Sequence, residues 1–232
     1  MQVPPYRIEQ TRNRHSRALL REHTIIIRLA RGLSIREEQE HVASLLKRMV
    51  RIASREAART AIDPFRPLLD GTTDTLTLSL SVARTTVTFT LIAGKRTQAK
   101  QTDDGWQVTI GPALQNRALH RFLWKLLARA AASPLKAYVH AANRETVRVR
   151  VGEVRIRTMS SQWGSCSSRG TITLNTALLL LPEALLRYVV IHELTHRLHA
   201  NHSRPFWQTV ECAYPAFLAA RKLLRSFRLP TL

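Results

Sequence analysis

Four of the chain's nine histidines fall within eleven residues, HELTHRLHANH, from His192 to His202. Each imidazole brings two polar nitrogens that need partners, and a protonated cluster repels itself. On a helix, positions i and i+4 share a face, so His192 and His196 project together and can grip one ion. Glu193 points to the flank, where a carboxylate can reach a metal-bound water without binding the metal. That is the mechanical content of H-E-x-x-H. A satisfied structural histidine pair is the bland alternative.

Catalytic zinc takes three protein ligands and keeps one position open. His199 and His202 compete for the third place. His199 lies seven residues beyond His192, roughly 10 Å along a helix axis, so ligands at i, i+4 and i+7 on an unbroken helix converge poorly on one ion. His202 can serve if the helix ends between Ala200 and Asn201 and the chain doubles back. Asn201 suits that turn because Asn tolerates the left-handed conformation. His202 is therefore the expected third ligand, with His199 near the site or filling surface. Glu211 is a rival ligand, or a carboxylate that orients a ligating histidine.

The same site would hydrolyse a peptide bond. Zinc lowers the pKa of its water towards 7, and Glu193 takes the proton as hydroxide attacks the carbonyl, then hands it to the leaving amine. Candidates for stabilising the oxyanion are Arg204, His199, Tyr214 and backbone groups of Gln162 to Ser165. TITLN (171–175) offers an edge strand along which an extended peptide could lie. Trp163, Phe206 and Trp207 read as packing around the zinc helix rather than as substrate stackers. Cys166 has no paired His motif around it and reads as a structural thiol.

At 232 residues the chain can bury a sizeable core, as one large domain or two small ones. The start, MQVPPYRIEQTRNRHSR, has no apolar stretch of signal-peptide type, and no apolar run is long enough to span a bilayer. Cys166 and Cys212 make no disulfide framework, which fits a reducing cytoplasm. The formal charge of +20 points to a polyanionic partner such as nucleic acid, or to a merely solvated arginine-rich surface. The nearest approach to a cluster is Arg7, Arg12, Arg14, Arg17 and Arg21.

The positioning elements can be read from period and punctuation. EHTIIIRLARG reads as a strand, and Ser34 with Glu37 as a capping box opening a basic helix to Thr60. TLTLSLSV, TTVTFTLIA and GWQVTIG alternate as half-buried antiparallel strands. Pro112 sits in an expected first helical turn, and Leu119, Phe122, Leu123 and Leu126 give that helix an apolar face. ETVRVRVGEVRIRTM returns to strand alternation with its arginines on the wet face. SSQWGSCSSRG is a Ser/Gly loop, and TITLN a short strand. Pro182 and Glu183 open the helix PEALLRYVVIHELTHRLHA. Ser203 caps a last helix, bent at Pro215.

WGSCSSRGTITLN, YVVIHELTH and NHSRPFW, in that order and at short spacing, resemble the YgjP-like metallopeptidases, relatives of the SprT and Wss1-type zinc proteases. The resemblance covers about residues 112–232. It implies an α+β fold with a zincin-like core of active-site helix plus antiparallel sheet over 112–232; residues 1–111, read from their own pattern as a strand-rich region with one long helix, are compatible with it. It further implies a Zn2+ ion on His192, His196 and His202, Glu193 as the catalytic base, and a peptide or protein substrate. The alternative is a nucleic-acid-associated protein, either with a structural metal or with proteolysis directed at DNA-bound proteins.

Overall fold

The computed structural model describes residues 4–21, 24–82 and 85–231. Its elements are β1 (Tyr6–Gln10), β2 (Arg17–Arg21), β3 (Thr24–Leu29), α1 (Ile35–Ala57), β4 (Thr60–Ala61), α2 (Arg66–Leu69), β5 (Thr75–Ser79), β6 (Thr86–Ala93), β7 (Gln98–Gln101), β8 (Gly105–Ile110), α3 (Asn116–Glu145), β9 (Val154–Arg157), β10 (Gly164–Cys166), β11 (Ile172–Asn175), a 3₁₀ turn (Thr176–Leu180), α4 (Glu183–Thr195), α5 (Arg204–Ala213), α6 (Phe217–Leu224) and β12 (Phe227–Arg228). They divide into two compact units, Met1–Thr60 and Ala61–Leu232.

In the first unit the capping box is made as expected. The Ser34 hydroxyl accepts from the Glu37 amide, and the Glu37 carboxylate accepts from the Ser34 amide at 2.8 Å. The helix it starts lies over a three-stranded sheet in the order β1-β3-β2, with β1 parallel and β2 antiparallel to β3. Ile25, Ile27 and Leu29 alternate onto one face of β3 and pack with Met49 of α1, flanked by Leu20, Val42, Leu45 and Leu46. β1 and β2 carry no clean alternation, so their sequences announce arginines rather than strands.

The second unit holds the larger core. Its four-stranded sheet runs β5-β6-β8-β7. The expectation of a purely antiparallel sheet fails at its centre, where β6 and β8 pair in parallel. The intervening segment turns back as β7, and Gln98–Gln101 pair antiparallel with β8. This sheet shares one core with α3 and α4: the buried Phe65 ring meets Phe89 of β6 and Trp124 of α3 edge-on, at centroid distances of 5.1 and 5.5 Å. Residues 75–110 thus pack with the C-terminal elements.

The helix expected from Pro112 begins at Asn116, with Gln115 at its cap; Gly111 to Leu114 form a turn instead. Leu119, Leu123 and Leu126 are buried on its inner face, and Phe122 is half-buried. The arginine-alternating stretch yields one short strand, β9, with Arg155 and Arg157 outward as expected. It joins a second sheet in the order β10-β11-β9. TITLN is therefore the central strand and not an edge, because GSC, within the expected loop, pairs on its other side. The last helix is broken at Pro215 rather than bent: α5 ends at Ala213 and α6 starts at Phe217.

Candidate metal centre

Helix α4 is apolar nearly all round. Leu185, Leu186, Val189, Val190, Ile191 and Leu194 are buried, and that is how it comes to drag Glu193 into the interior. Only a narrow strip of the helix, carrying His192, stays half-exposed, continued by His196 just past its end. The helix stops earlier than the sequence implies. Thr195 is its last residue, and His196 is the C-cap. The turn is closed by backbone bonds from Leu198 and His199 to the Thr195 carbonyl, both 3.0 Å. Asn201 takes no left-handed conformation, since the chain has already left the helix.

The reversal returns His202 to the helix. His192, His196 and His202 each offer a ring nitrogen, and these three atoms lie within 4.8 Å of one another. The Nε2 atoms of His192 and His202 face each other at 3.0 Å. The donor set fits a divalent cation of borderline softness: three imidazoles, one of them, His202, exposed on the solvent side. Burial pulls the His192 imidazole down to about 3, aided by the neighbouring His196 and His202, so the ring is neutral and its lone pair free. The Nδ1 of His192 is buried without a hydrogen-bond partner.

His199 contributes differently from either expectation. Its backbone carbonyl lies 3.1 Å from His196 Nδ1. A carbonyl can only accept, so that contact holds the proton on Nδ1 and leaves Nε2 as the donor to an ion. Its side chain turns away to Thr209, with Nε2 3.1 Å from the hydroxyl. Glu211 is exposed on α5 and lies outside the three-histidine group. Arg204 is exposed at the start of α5, and Tyr214 caps its end.

A floor of rings fixes the histidines. Phe206, fully buried, sits 4.7–4.9 Å from all three imidazole centroids. Trp207 stacks on His202 at 5.6 Å and 22°, and on Phe217 at 5.8 Å and 20°. The Arg221 guanidinium covers the Trp207 ring at 4.5 Å. Phe206 and Trp207 thus pack against the three histidines, as their place beside this helix implied. Trp163 is half-buried against the same core.

Glu193 is 5% exposed, and burial pushes its carboxyl up to about 8. Its position depends on Gly164 of β10. A Cβ built on that glycine would meet Glu193 Oε1 at 2.7 Å and Cγ at 2.8 Å. Any other residue would displace the carboxylate. Asn175, fully buried, holds the preceding loop: its amide donates to the carbonyls of Met159 at 2.7 Å and Gln162 at 3.0 Å. Arg197, next to His196, donates to the Ser168 carbonyl at 2.9 Å and packs on Gly170, whose φ of +84° favours glycine. Cys166 is half-buried, and burial raises its thiol pKa, which makes it less reactive.

The sequence reading missed the packing role of Gly164, the Asn175 amide, the His199 carbonyl and Arg221. Gly164 and Asn175 lay within quoted motifs, but a motif gives neighbours along the chain and not across it.

A helix carrying convergent histidines beside a short mixed sheet defines an α+β, zincin-like protein. The chain belongs to the YgjP-like metallopeptidases: the model of the YgjP-like metallopeptidase domain matches residues 14–227, extending through the N-terminal segment that carries no readable motif. A metal ion is therefore implied for this family member. Among solved structures the chain is similar to the crystal structure of the metallopeptidase zymogen of Pyrococcus abyssi abylysin. That match has 28% identity and a TM-score of 0.37, over 42% of this chain and 98% of that one. No curated protein matches the chain. No described helix is long and apolar enough to cross a membrane.

Proposed function

We propose that this protein is a zinc-dependent peptidase whose metal is held by His192, His196 and His202 and whose general base is Glu193. The observation that carries the reading is the buried carboxylate of Glu193, seated on Gly164 one residue from a group of three convergent imidazoles. A purely structural metal site has no use for a desolvated carboxylate there. Three imidazoles with a solvent-facing side match the ligand set of catalytic zinc. When bound, zinc supplies Lewis acidity that polarises the scissile carbonyl and lowers the pKa of a water towards 7.

Glu193 then does the proton work. Ionised beside the positive charge of a bound metal, which would offset the burial that raises its pKa, its carboxylate accepts the proton of the attacking water and returns it to the leaving amine. Its burial keeps that proton from bulk solvent, and Gly164 lets it approach without a Cβ between. β10 is the edge of its sheet among the described residues. In the antiparallel pairing with β11, Ser165 pairs inward, so the amides of Gly164 and Cys166 point outward, where an extended substrate backbone can add as a strand.

The test is metal analysis of purified wild type and Glu193→Gln, followed by hydrolysis of a broad peptide library. We expect about one zinc per chain in both proteins, and a loss of at least ~100-fold in hydrolysis for the variant, the scale for removing a general base. Equal activity in the two would sink the role of Glu193. Stoichiometric zinc with no cleavage by the wild type would favour a structural metal.

A further inference from the structure

Strand register gathers the N-terminal arginines in a way that the sequence does not. Residues 1–60 hold thirteen Lys and Arg against six Glu, a net +7 in just over a quarter of the chain. α1 covers the face of the sheet that carries Ile25, Ile27 and Leu29. The partners of β3 place Arg7 beside Ile26, Leu19 beside Ile26, Arg17 beside Arg28 and Arg21 beside Thr24, all on the opposite face. Four arginines from three strands thus share one surface.

Two observations show that most of this charge is not used internally. Arg17 stands directly across from Arg28, and like charges in that position destabilise a sheet. One carboxylate answers four guanidiniums: Glu9 meets Arg28 at 2.9 Å and Arg7 at 3.1 Å, while among the described residues Arg17 and Arg21 make no ion pair. Arg7, Arg17 and Arg21 are exposed, as are Arg12 and Arg14 on the connection from β1 to β2.

We propose that this face binds the phosphate backbone of nucleic acid. All four groups are guanidiniums, whose planar fork pairs with phosphate in two parallel hydrogen bonds. Among the described residues, between them lie the buried Ile26, the half-buried Leu19 and Thr24, and Glu9. Among the described residues, these offer neither an aromatic anchor for a protein partner nor a ring on which a base could stack. Recognition is therefore electrostatic and indifferent to sequence. It is independent of the metal centre.

The experiment is fluorescence anisotropy of a labelled 20-base-pair duplex with the full-length protein, between 50 and 200 mM salt. Four phosphate contacts give a log–log slope of about −3.6, a roughly 150-fold loss of affinity over that range. Replacing Arg7, Arg17 and Arg21 with Ser should flatten the slope by about 2.7. The control removes the same charge from the exposed side of α1, as Arg48→Ser, Arg51→Ser and Arg55→Ser, and should leave most of the slope. Circular dichroism and zinc content verify that both variants are folded. An unchanged slope in the sheet variant, or an equal drop in the α1 variant, overturns the assignment. Competition by polyglutamate as effective as unlabelled duplex overturns it too, in favour of an acidic protein.

Discussion

The metal centre and the arginine face use polar side chains in opposite ways. Around α4, a few groups are closely packed, each with its reach limited by a neighbour: the buried Glu193 by Gly164, His196 by the His199 carbonyl, His202 by Trp207. On the N-terminal sheet, many groups are exposed, and among the described residues only Glu9 pairs with any of these arginines. The first arrangement makes function depend on ångströms, because small displacements of buried groups are costly to absorb. The second makes it depend on the sum of charges. Substitutions should therefore separate cleanly: damage at the centre should be sharp and local, damage on the face graded and additive.

The largest effect expected at the centre comes from the proposed third ligand. His202→Ala should weaken zinc binding by more than ~100-fold, beyond the range for losing an outer partner of a ligand. His199→Ala should keep zinc within about tenfold, because its backbone carbonyl, and not its ring, holds His196. Competition against a chromophoric chelator measures both. Acidification should release the metal from the wild type, since each imidazole must lose its proton to bind. Retention of zinc in His202→Ala with its loss in His199→Ala would reverse the assignment.

How much of this contrast could be read from residues alone follows the same division. The convergence of His192 and His196 was legible because a helix converts sequence spacing into a shared face, with Glu193 on its flank. His202 was legible by elimination, although the turn that delivers it begins at Thr195 and not at Ala200. The capping box at Ser34 was legible because it is local. What stayed hidden depends on pairing between distant segments. The parallel register of β6 and β8, the central place of β11 and the return of β7 are set by contacts that no short window contains. The arginines were visible as a loose cluster, but their common face exists only once β1 and β2 are laid beside β3.

A middle-sized effect tests whether the centre really is limited by ångströms. Gly164→Ala adds one methyl group, 2.7 Å from the Glu193 oxygen, and the carboxylate or β10 must move to admit it. Zinc content should be unchanged, since no ligand is touched. Peptidase kcat should fall about 10- to 100-fold, the cost of misplacing a reacting group by something under 1 Å to 1 Å. Single-turnover kinetics on the zinc-loaded protein reads this directly. Full activity would mean that the β10 segment yields freely and that Gly164 positions nothing.

The smallest effect sharpens the comparison most, because it asks what one arginine does in each setting. Arg221 lies over Trp207, which in turn stacks on His202. A cation over an indole contributes about 0.5–1 kcal/mol at a partly exposed position. If that energy goes into holding Trp207 against the ligand, Arg221→Ala should lower zinc affinity by about two- to fivefold. Arg221→Lys should recover part of the loss, since an ammonium can occupy the same place over the ring. Neither change should alter the salt slope for duplex DNA, because Arg221 contributes through its contact and not through its share of the total charge. Conversely, replacing Arg7, Arg17 and Arg21 together should leave zinc affinity as it is. A rise in zinc affinity that scales with the number of arginines removed, wherever they stand, would collapse the distinction: fewer cations repel Zn2+ less, so the metal centre would then be responding to the overall field of the protein, and the stack on His202 would position nothing.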